Sequence, residues 1–282
     1  LKFSDTLLEA NIYIVCVPTP VKKVSKYLFQ EDLSILYSVF KDLESKIKNN
    51  DLIILESTCP PNTAIKLYKK LSKNFKINFA NCPERAMPGS TLNEMINNYR
   101  VIGASSENCY KMTKNLYKSF VKGQIYKTGL TEAELIKLFE NSYRDLNVGF
   151  ANEVDSISNL YKVSSRKIIK LANYHPRVNI HEPGIGVGGH CIPVDPWFLI
   201  RKKYSKNSLI LSARISNLKK EEKIYTQISN KLDKKKKNLF FGITYKKNTD
   251  DTRNSPAKNI INKLKKRFPN IYIFDPINKK YN

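Results

Sequence analysis

Short apolar runs separated by helical patterns fill the chain from Asn11 to Tyr126. Ile12 to Val17, Leu52 to Leu55, Ile77 to Ala80 and, more weakly, Arg100 to Ile102 and Gln124 to Tyr126 have the length and composition of strands. Between them Asp32 to Ile47, Asn62 to Phe75 and Glu107 to Phe120 carry apolar residues at helical spacing, and Pro60-Pro61 supplies a start signal for the second. This alternation predicts β/α units around a mainly parallel sheet, in which ligands gather at the carboxyl ends of the strands. Pro18-Thr19-Pro20, Glu56-Ser57-Thr58 and Cys82-Pro83-Glu84-Arg85 all fall at such ends.

The period changes at Thr131, where Thr131-Glu132-Ala133-Glu134 has capping-box spacing. Apart from Gly149, neither Gly nor Pro interrupts the pattern from there to about Tyr161, which predicts a helix near 45 Å long at about 1.5 Å per residue. Such a helix should bridge domains and is too apolar to be covered by so short a chain, which suggests a second copy. A helix over Ser164 to Ala172 leads into a loop from His175 to Pro196 rich in Gly, Pro and His. Leu209 to Leu232 is helical again. Asn238 to Thr244 and Ile271 to Phe274 read as strands flanking a helix over Ser255 to Phe268, with Pro256 in its first turn.

Composition narrows the class. With 282 residues, 41% hydrophobic and 26% charged, the chain is globular and long enough for about two domains. No apolar run approaches the roughly 18 residues of a membrane helix, and no secretory signal opens the sequence, which begins at Leu1; a soluble, cytoplasmic protein without membrane association is expected. The five cysteines, Cys16, Cys59, Cys82, Cys109 and Cys191, are widely spaced and fit reduced thiols, with Cys16 and Cys109 expected in the core. A net charge of +24 would ordinarily raise nucleic acid as a partner. The lysines are, however, spread along the whole chain, and only Lys234 to Lys237 form a run, so no nucleic-acid partner is expected.

Candidate chemistry concentrates in two places. Gly184, Gly186 and Gly189 match G-x-G-x-x-G literally, but no strand precedes them and no helix follows, so this is not a dinucleotide fingerprint. The glycines instead let backbone approach a ligand closely and hold Cys191 on a tight turn, four residues before Asp195. Cys191 is there either a structural thiol or a nucleophile. On the long helix Lys137 and Asn141 lie four apart, hence on one face; the lysine either snorkels to solvent or joins the amide in holding an oxyanion. His175, His181 and His190 with Cys191 fit no familiar ligand spacing, and no metal is expected.

Six ordered motifs carry a resemblance: Val17-Pro18-Thr19-Pro20; Glu56-Ser57-Thr58; Cys82-Pro83-Glu84-Arg85-Ala86-x-Pro88-Gly89; Ala133-Glu134-Leu135-x-Lys137-Leu138-x-x-Asn141-x-x-Arg144-Asp145; Gly186-Val187-Gly188-Gly189-His190-Cys191-x-x-x-Asp195-Pro196; and Tyr245-Lys246-x-x-x-x-Asp251-x-Arg253-x-Ser255-Pro256. Together they resemble the UDP-sugar 6-dehydrogenases. His175-Pro176-Arg177-Val178-Asn179-Ile180 and Asp195-Pro196-Trp197-Phe198 are most similar to the UDP-N-acetyl-D-mannosamine branch, with UDP-glucose and UDP-N-acetylglucosamine branches close by. The resemblance implies an α/β fold: 1–128 as the remainder of an NAD-binding Rossmann-like domain lacking its Gly-rich first unit, 129–237 as a central helical dimerisation domain, and 238–282 as the start of a UDP-binding Rossmann-like domain. The chain therefore looks truncated at both ends, and an inactive fragment that only oligomerises is the competing expectation.

The implied activity is a four-electron oxidation at C6 of a UDP-N-acetylhexosamine, using two NAD⁺, to a uronic acid of the kind used in surface polysaccharides. Cys191 would form a thiohemiacetal and then a thioester, with Lys137 and Asn141 on the charged oxygen. Asp195, Thr58 and Glu84 would serve the hydrolytic water. Val17, Pro18, Thr19, Glu56, Thr58 and Arg253 would contact the cofactor. Glu84, Arg85, Lys137, Asn141, Gly188, Lys246 and Arg177, the last across a homodimer interface, would contact the substrate. Without the resemblance, Asp251 and Arg253 read equally well as an ion pair at a helix entry.

Overall fold

The computed structural model describes residues 3–86, 89–200, 208–278 and 280, so Pro88 of the third motif lies outside them. The chain folds as two compact units, 1–139 with 197–199, and 140–196 with 200–282.

The first unit is built on a five-stranded sheet of β1 (Ile12–Val15), β4 (Leu52–Leu55), β5 (Asn78–Asn81), β6 (Arg100–Ala104) and β7 (Ile125–Thr128), in that spatial order. All neighbours pair in parallel except β5 and β6, which are antiparallel. The apolar run of β4 is fully buried on both faces, as strands covered on each side by helices must be. Ile53 and Leu55 join the layer of α1 (Ser34–Leu43) and α2 (Thr63–Leu71), while Leu52 and Ile54 join that of α4 (Glu107–Lys118). Each such side chain contributes about 2 kcal/mol on burial.

At the sheet edge, β1 buries one face only: Tyr13 and Val15 point inward, whereas Ile12 and Ile14 are exposed. The same alternation turns Cys16 outward, which corrects its expected place in the core; Cys109 on α4 is fully buried.

Two elements of this unit were not legible in the sequence. Residues after Pro20 form a hairpin of β2 (Val21–Ser25) and β3 (Leu28–Glu31), whose strands carry no apolar alternation, the first with Lys22 and Lys23 at its centre, and whose turn has no glycine. Helix α3 (Thr91–Asn97) buries no residue, so no hydrophobic period marks it. The short helix α7 (Pro196–Leu199) places Trp197 against Phe29 of the hairpin, ring centroids 5.1 Å apart.

Helix α5 (Leu130–Leu160) begins in the first unit and continues through the second. It ends where Lys162 takes a left-handed conformation, with Val163 N–H bonded to the Ser158 carbonyl and Lys162 N–H to that of Asn159, a Schellman closure made without glycine. The second unit adds α6 (Ser165–Ala172), α8 (Leu209–Ser229), β8 (Asn238–Phe241), α9 (Pro256–Lys265) and β9 (Ile271–Phe274). Ser164, Ser208 and Ser255 cap α6, α8 and α9 through their hydroxyls, and Pro256 occupies the first turn of α9. β8 and β9 pair in parallel, and Ile260, Ile261 and Leu264 of α9 form the core beneath them with Ile224 and Ile228 of α8.

Candidate active site

In the second unit, α5 inverts the usual order of an amphipathic helix. Its buried positions include Asn141, Ser142, Asp145, Asn147 and Asn152, while Phe139, Tyr143, Phe150, Ile157 and Leu160 are exposed along the helix. The buried amides hold loops. Asn147 donates to the Asn179 carbonyl and accepts from His181 N–H, and Asn152 accepts from Gly184 N–H, so the glycine-rich loop is tied to α5 at three places. Asparagine weakens a helix interior, and its recurrence at 141, 147 and 152 was the signal available in the sequence.

Asn141 belongs to the same series. Its amide Nδ2 donates to Asp195 Oδ2 at 2.6 Å, and both residues are buried. The backbone N–H of Asp195 in turn donates to the Cys191 carbonyl at 2.9 Å, so one short turn joins the half-buried cysteine to the carboxylate. Lys137 lies one turn before Asn141 on α5, buried at 8% exposure, without a hydrogen bond or ion pair among the described residues.

The turn carrying Cys191 is pinned from the other side. Gly189, at φ +93°, donates its N–H to the Arg253 carbonyl and accepts from Asn254 Nδ2. A Cβ on Gly188 would stand 2.5 Å from Tyr245 Cβ and 2.8 Å from Pro256 Cδ, so only glycine lets these loops meet. Lys246 and Arg253 thus lie on the loops packed against the Cys191 turn. Arg253 is nevertheless engaged: its guanidinium grips both oxygens of Asp251, holding that carboxyl below its usual range. Arg177 is exposed on the loop after α6, its N–H bonded to His175 Nδ1.

Asp145, part of the fourth motif, faces Arg214 of α8 at 2.9 Å, both about 1% exposed, and accepts from Asn217. Burial pushes its carboxyl up to about 6 against the pull of the arginine, which marks a structural pair within the helix packing.

In the first unit, the loops after β1 and β4 are bonded to each other. Val17 N–H donates to Ser57 Oγ, which donates back to the Val17 carbonyl, and Thr19 Oγ1 donates to the Thr58 carbonyl. Pro18 and the half-buried Thr58 lie in these paired loops. Glu56 and Glu84 meet at one guanidinium: Arg100 Nη2 is 2.8 Å from Glu56 Oε1 and 2.8 Å from Glu84 Oε2. The other Glu84 oxygen accepts the N–H groups of Arg85 and Ala86, while the Arg85 side chain turns to the Tyr99 carbonyl and ring. Arg100 was missed because it opens a strand whose neighbours are apolar.

Glu134 was likewise left without a role. From α5 it caps the start of α2, accepting the N–H groups of Asn62 and Ala64 at 2.7 Å each. Burial pushes its carboxyl up to about 7 despite those bonds.

The chain is similar to known proteins along nearly its whole length. Residues 1–121 match the NAD binding domain of the UDP-glucose/GDP-mannose dehydrogenase family, residues 131–219 its central domain and residues 239–282 its UDP binding domain. The UDP-N-acetyl-D-mannosamine dehydrogenase of Methanocaldococcus jannaschii is 46% identical over 269 residues, covering 94% of this chain and 62% of the relative. That of Campylobacter jejuni is 37% identical over 279 residues, covering 94% and 68%. The UDP-D-ManNAc dehydrogenase structure from Pyrococcus horikoshii superposes with a TM-score of 0.84 at 36% identity, covering 95% of this chain and 66% of that one. The chain spans 62% and 65% of the length of the first two methanogen relatives.

Proposed function

The chain belongs to the UDP-glucose/GDP-mannose dehydrogenase family, and from that premise we propose that it oxidises C6 of a UDP-N-acetylhexosamine to the carboxylate with NAD⁺, UDP-N-acetyl-D-mannosamine being the favoured substrate. The observation that carries this reading is the linked series Asn141, Asp195 and Cys191: the α5 amide donates to the buried carboxylate, and the backbone N–H of that carboxylate's residue donates to the Cys191 carbonyl, closing the turn that carries the thiol.

Val17, Pro18, Thr19, Glu56 and Thr58 suit the cofactor, because paired loops at the carboxyl ends of parallel strands are where this class of sheet receives one. Bound NAD⁺ supplies the hydride acceptor for both oxidations, two molecules per acid formed. Arg253, aimed by Asp251, and Lys246 take the cofactor and substrate sides of the loops against the Cys191 turn.

On the substrate, the C6 hydroxyl loses its proton to a base as the first oxidation gives an aldehyde. The Cys191 thiolate adds to that carbonyl, forming a C–S bond and moving the π electrons to oxygen, which takes a proton to give a thiohemiacetal. Lys137 and the second N–H of Asn141 hold that oxygen. The second oxidation leaves a thioester, and water, positioned by Asp195 with Thr58 and Glu84, breaks the C–S bond to release the acid and restore the thiol. By resemblance to the family, Glu84, Arg85 and Gly188 are each taken as sugar-binding residues.

We read 1–128, 129–237 and 238–282 as the cofactor, central and UDP-binding segments, supported by the spans of the three family matches. A second copy covers the exposed apolar ridge of α5, from Phe139 to Leu160, and brings its Arg177 to the substrate. The same ridge favours the rival reading of a piece that only oligomerises. Five free cysteines suit a reducing cytoplasm, and among the described residues no helix is long and apolar enough to cross a membrane.

Incubating the chain with NAD⁺ and each of UDP-N-acetyl-D-mannosamine, UDP-N-acetylglucosamine and UDP-glucose, and identifying the acid by mass spectrometry, tests the reading. Acid from the first substrate above the other two is the expected result. No acid from any, with dimers in sedimentation, would establish the rival.

A further inference from the structure

We propose that Arg100 is a positioning residue that couples the two strand-end carboxylates of the first unit, a role that rests on the reading of Glu56 and Glu84 as cofactor-side and substrate-side groups. Its place follows from topology. β6 is antiparallel to β5, with Ala80 opposite Ala104 and Asn81 opposite Gly103, so continuing the register sets the amino end of β6 beside the carboxyl end of β5. In an all-parallel sheet Arg100 would begin its strand at the opposite edge. The reversal delivers a guanidinium to the ligand end of the sheet.

What surrounds it, among the described residues, is a set of titratable groups. The Arg100 side chain is 6% exposed, and a single nitrogen, Nη2, lies 2.8 Å from both Glu56 Oε1 and Glu84 Oε2. The Tyr117 ring of α4 lies 4.1 Å from the guanidinium carbon, and the Tyr117 hydroxyl donates to Glu56 Oε1. Cys16 Sγ donates to Glu56 Oε2 from the loop after β1, and Cys82, fully buried, faces the group from the end of β5. Glu84 Oε1 is held by the backbone of Arg85 and Ala86.

Two carboxylates thus share one cation. Without it their like charges would oppose each other at the strand ends, a repulsion the shared guanidinium offsets. A purely structural ion pair would change their charge balance as well, so the readout that separates positioning from packing is the acid limb of turnover.

The test is a carbon-13 titration of the chain labelled at glutamate Cδ, with the two signals assigned by Glu56→Gln and Glu84→Gln. Arg100→Gln should raise the midpoint of Glu56 or Glu84 by about one pH unit or more, and Arg100→Lys should restore part of the shift. Glu56→Gln, which keeps the side-chain shape, should lower the Glu84 midpoint, and this arm decides the question if Arg100→Gln fails to fold. The acid limb of uronic acid formation should move with the carboxylate in Arg100→Lys. Unmoved midpoints, or moved midpoints with an unmoved acid limb, would overturn the proposal. A parent chain that binds no NAD⁺ and makes no acid would strike the family reaction instead, and the midpoints would remain readable.

Discussion

Asn141 and Asp195, 54 residues apart in sequence, meet at 2.6 Å in the buried part of the second unit, and the carboxylate so held is bonded through its own backbone to Cys191. Asn141 therefore does two things at once: it satisfies a buried anion and fixes the turn that presents the thiol.

Asn141→Leu removes the donor and leaves Asp195 buried without it. About 2 kcal/mol of stability should be lost, which denaturant unfolding will register as a lower midpoint with an unchanged slope. Asn141→Ser, which can still donate, should recover part of the loss.

Gly188→Ala should disturb the contact between the Cys191 turn and the Tyr245 loop, because the added methyl would sit 2.5 Å from Tyr245 Cβ. Overpacking of this kind costs about 1 to 3 kcal/mol. Limited proteolysis should show faster cleavage in the 175–196 loop, with the first unit unaffected.

Glu134 gives a pH dependence of definite sign. Its folded carboxyl titrates near 7, above the ordinary 4.5, so the folded state binds the proton more tightly than the unfolded chain. The stability this group confers is full below about pH 4.5 and is lost as pH rises through 7. Unfolding by urea at about pH 5 and pH 8 should show the parent losing more stability across that interval than Glu134→Gln, by up to about 3 kcal/mol. Equal losses would remove the buried Glu134 carboxyl as the cause.

The thiols should divide by surroundings. Cys16 is exposed as a residue, yet its sulfur rests against Glu56, and partial burial with that carboxylate pushes it up to about 12. Sulfur environment decides reactivity, so iodoacetamide near neutral pH should modify Cys191 well before Cys16, read by peptide mass spectrometry. Cys82 and Cys109, both fully buried, should react only on unfolding.

The sequence displays what burial periodicity writes into it. β4, whose four residues are all buried, has the same bounds in both, and the long α5 differs by one residue at each end. Elements without an apolar face were invisible, as α3 and the β2–β3 hairpin illustrate. The glycine-rich turn and Asp195 were legible because unusual residues crowd together there. Arg100 and Glu134 were not, since their meaning depends on partners 16 to 72 residues away that only the reversed β6 and the α2–α5 packing bring near.

The covalent role of Cys191 is the centre of this account, and its most direct measurement is the amount of uronic acid formed from UDP-N-acetyl-D-mannosamine and NAD⁺ by the parent chain and by Cys191→Ala. Oxidation to the aldehyde needs no bond to sulfur, whereas carrying the aldehyde to an acid requires the adduct that gives up a second hydride. The account predicts acid from the parent and a loss of a thousandfold or so in the variant, with substrate affinity nearly unchanged, a barrier difference of about 4 kcal/mol. Acid formation by Cys191→Ala within about tenfold of the parent, about 1.4 kcal/mol, would contradict it.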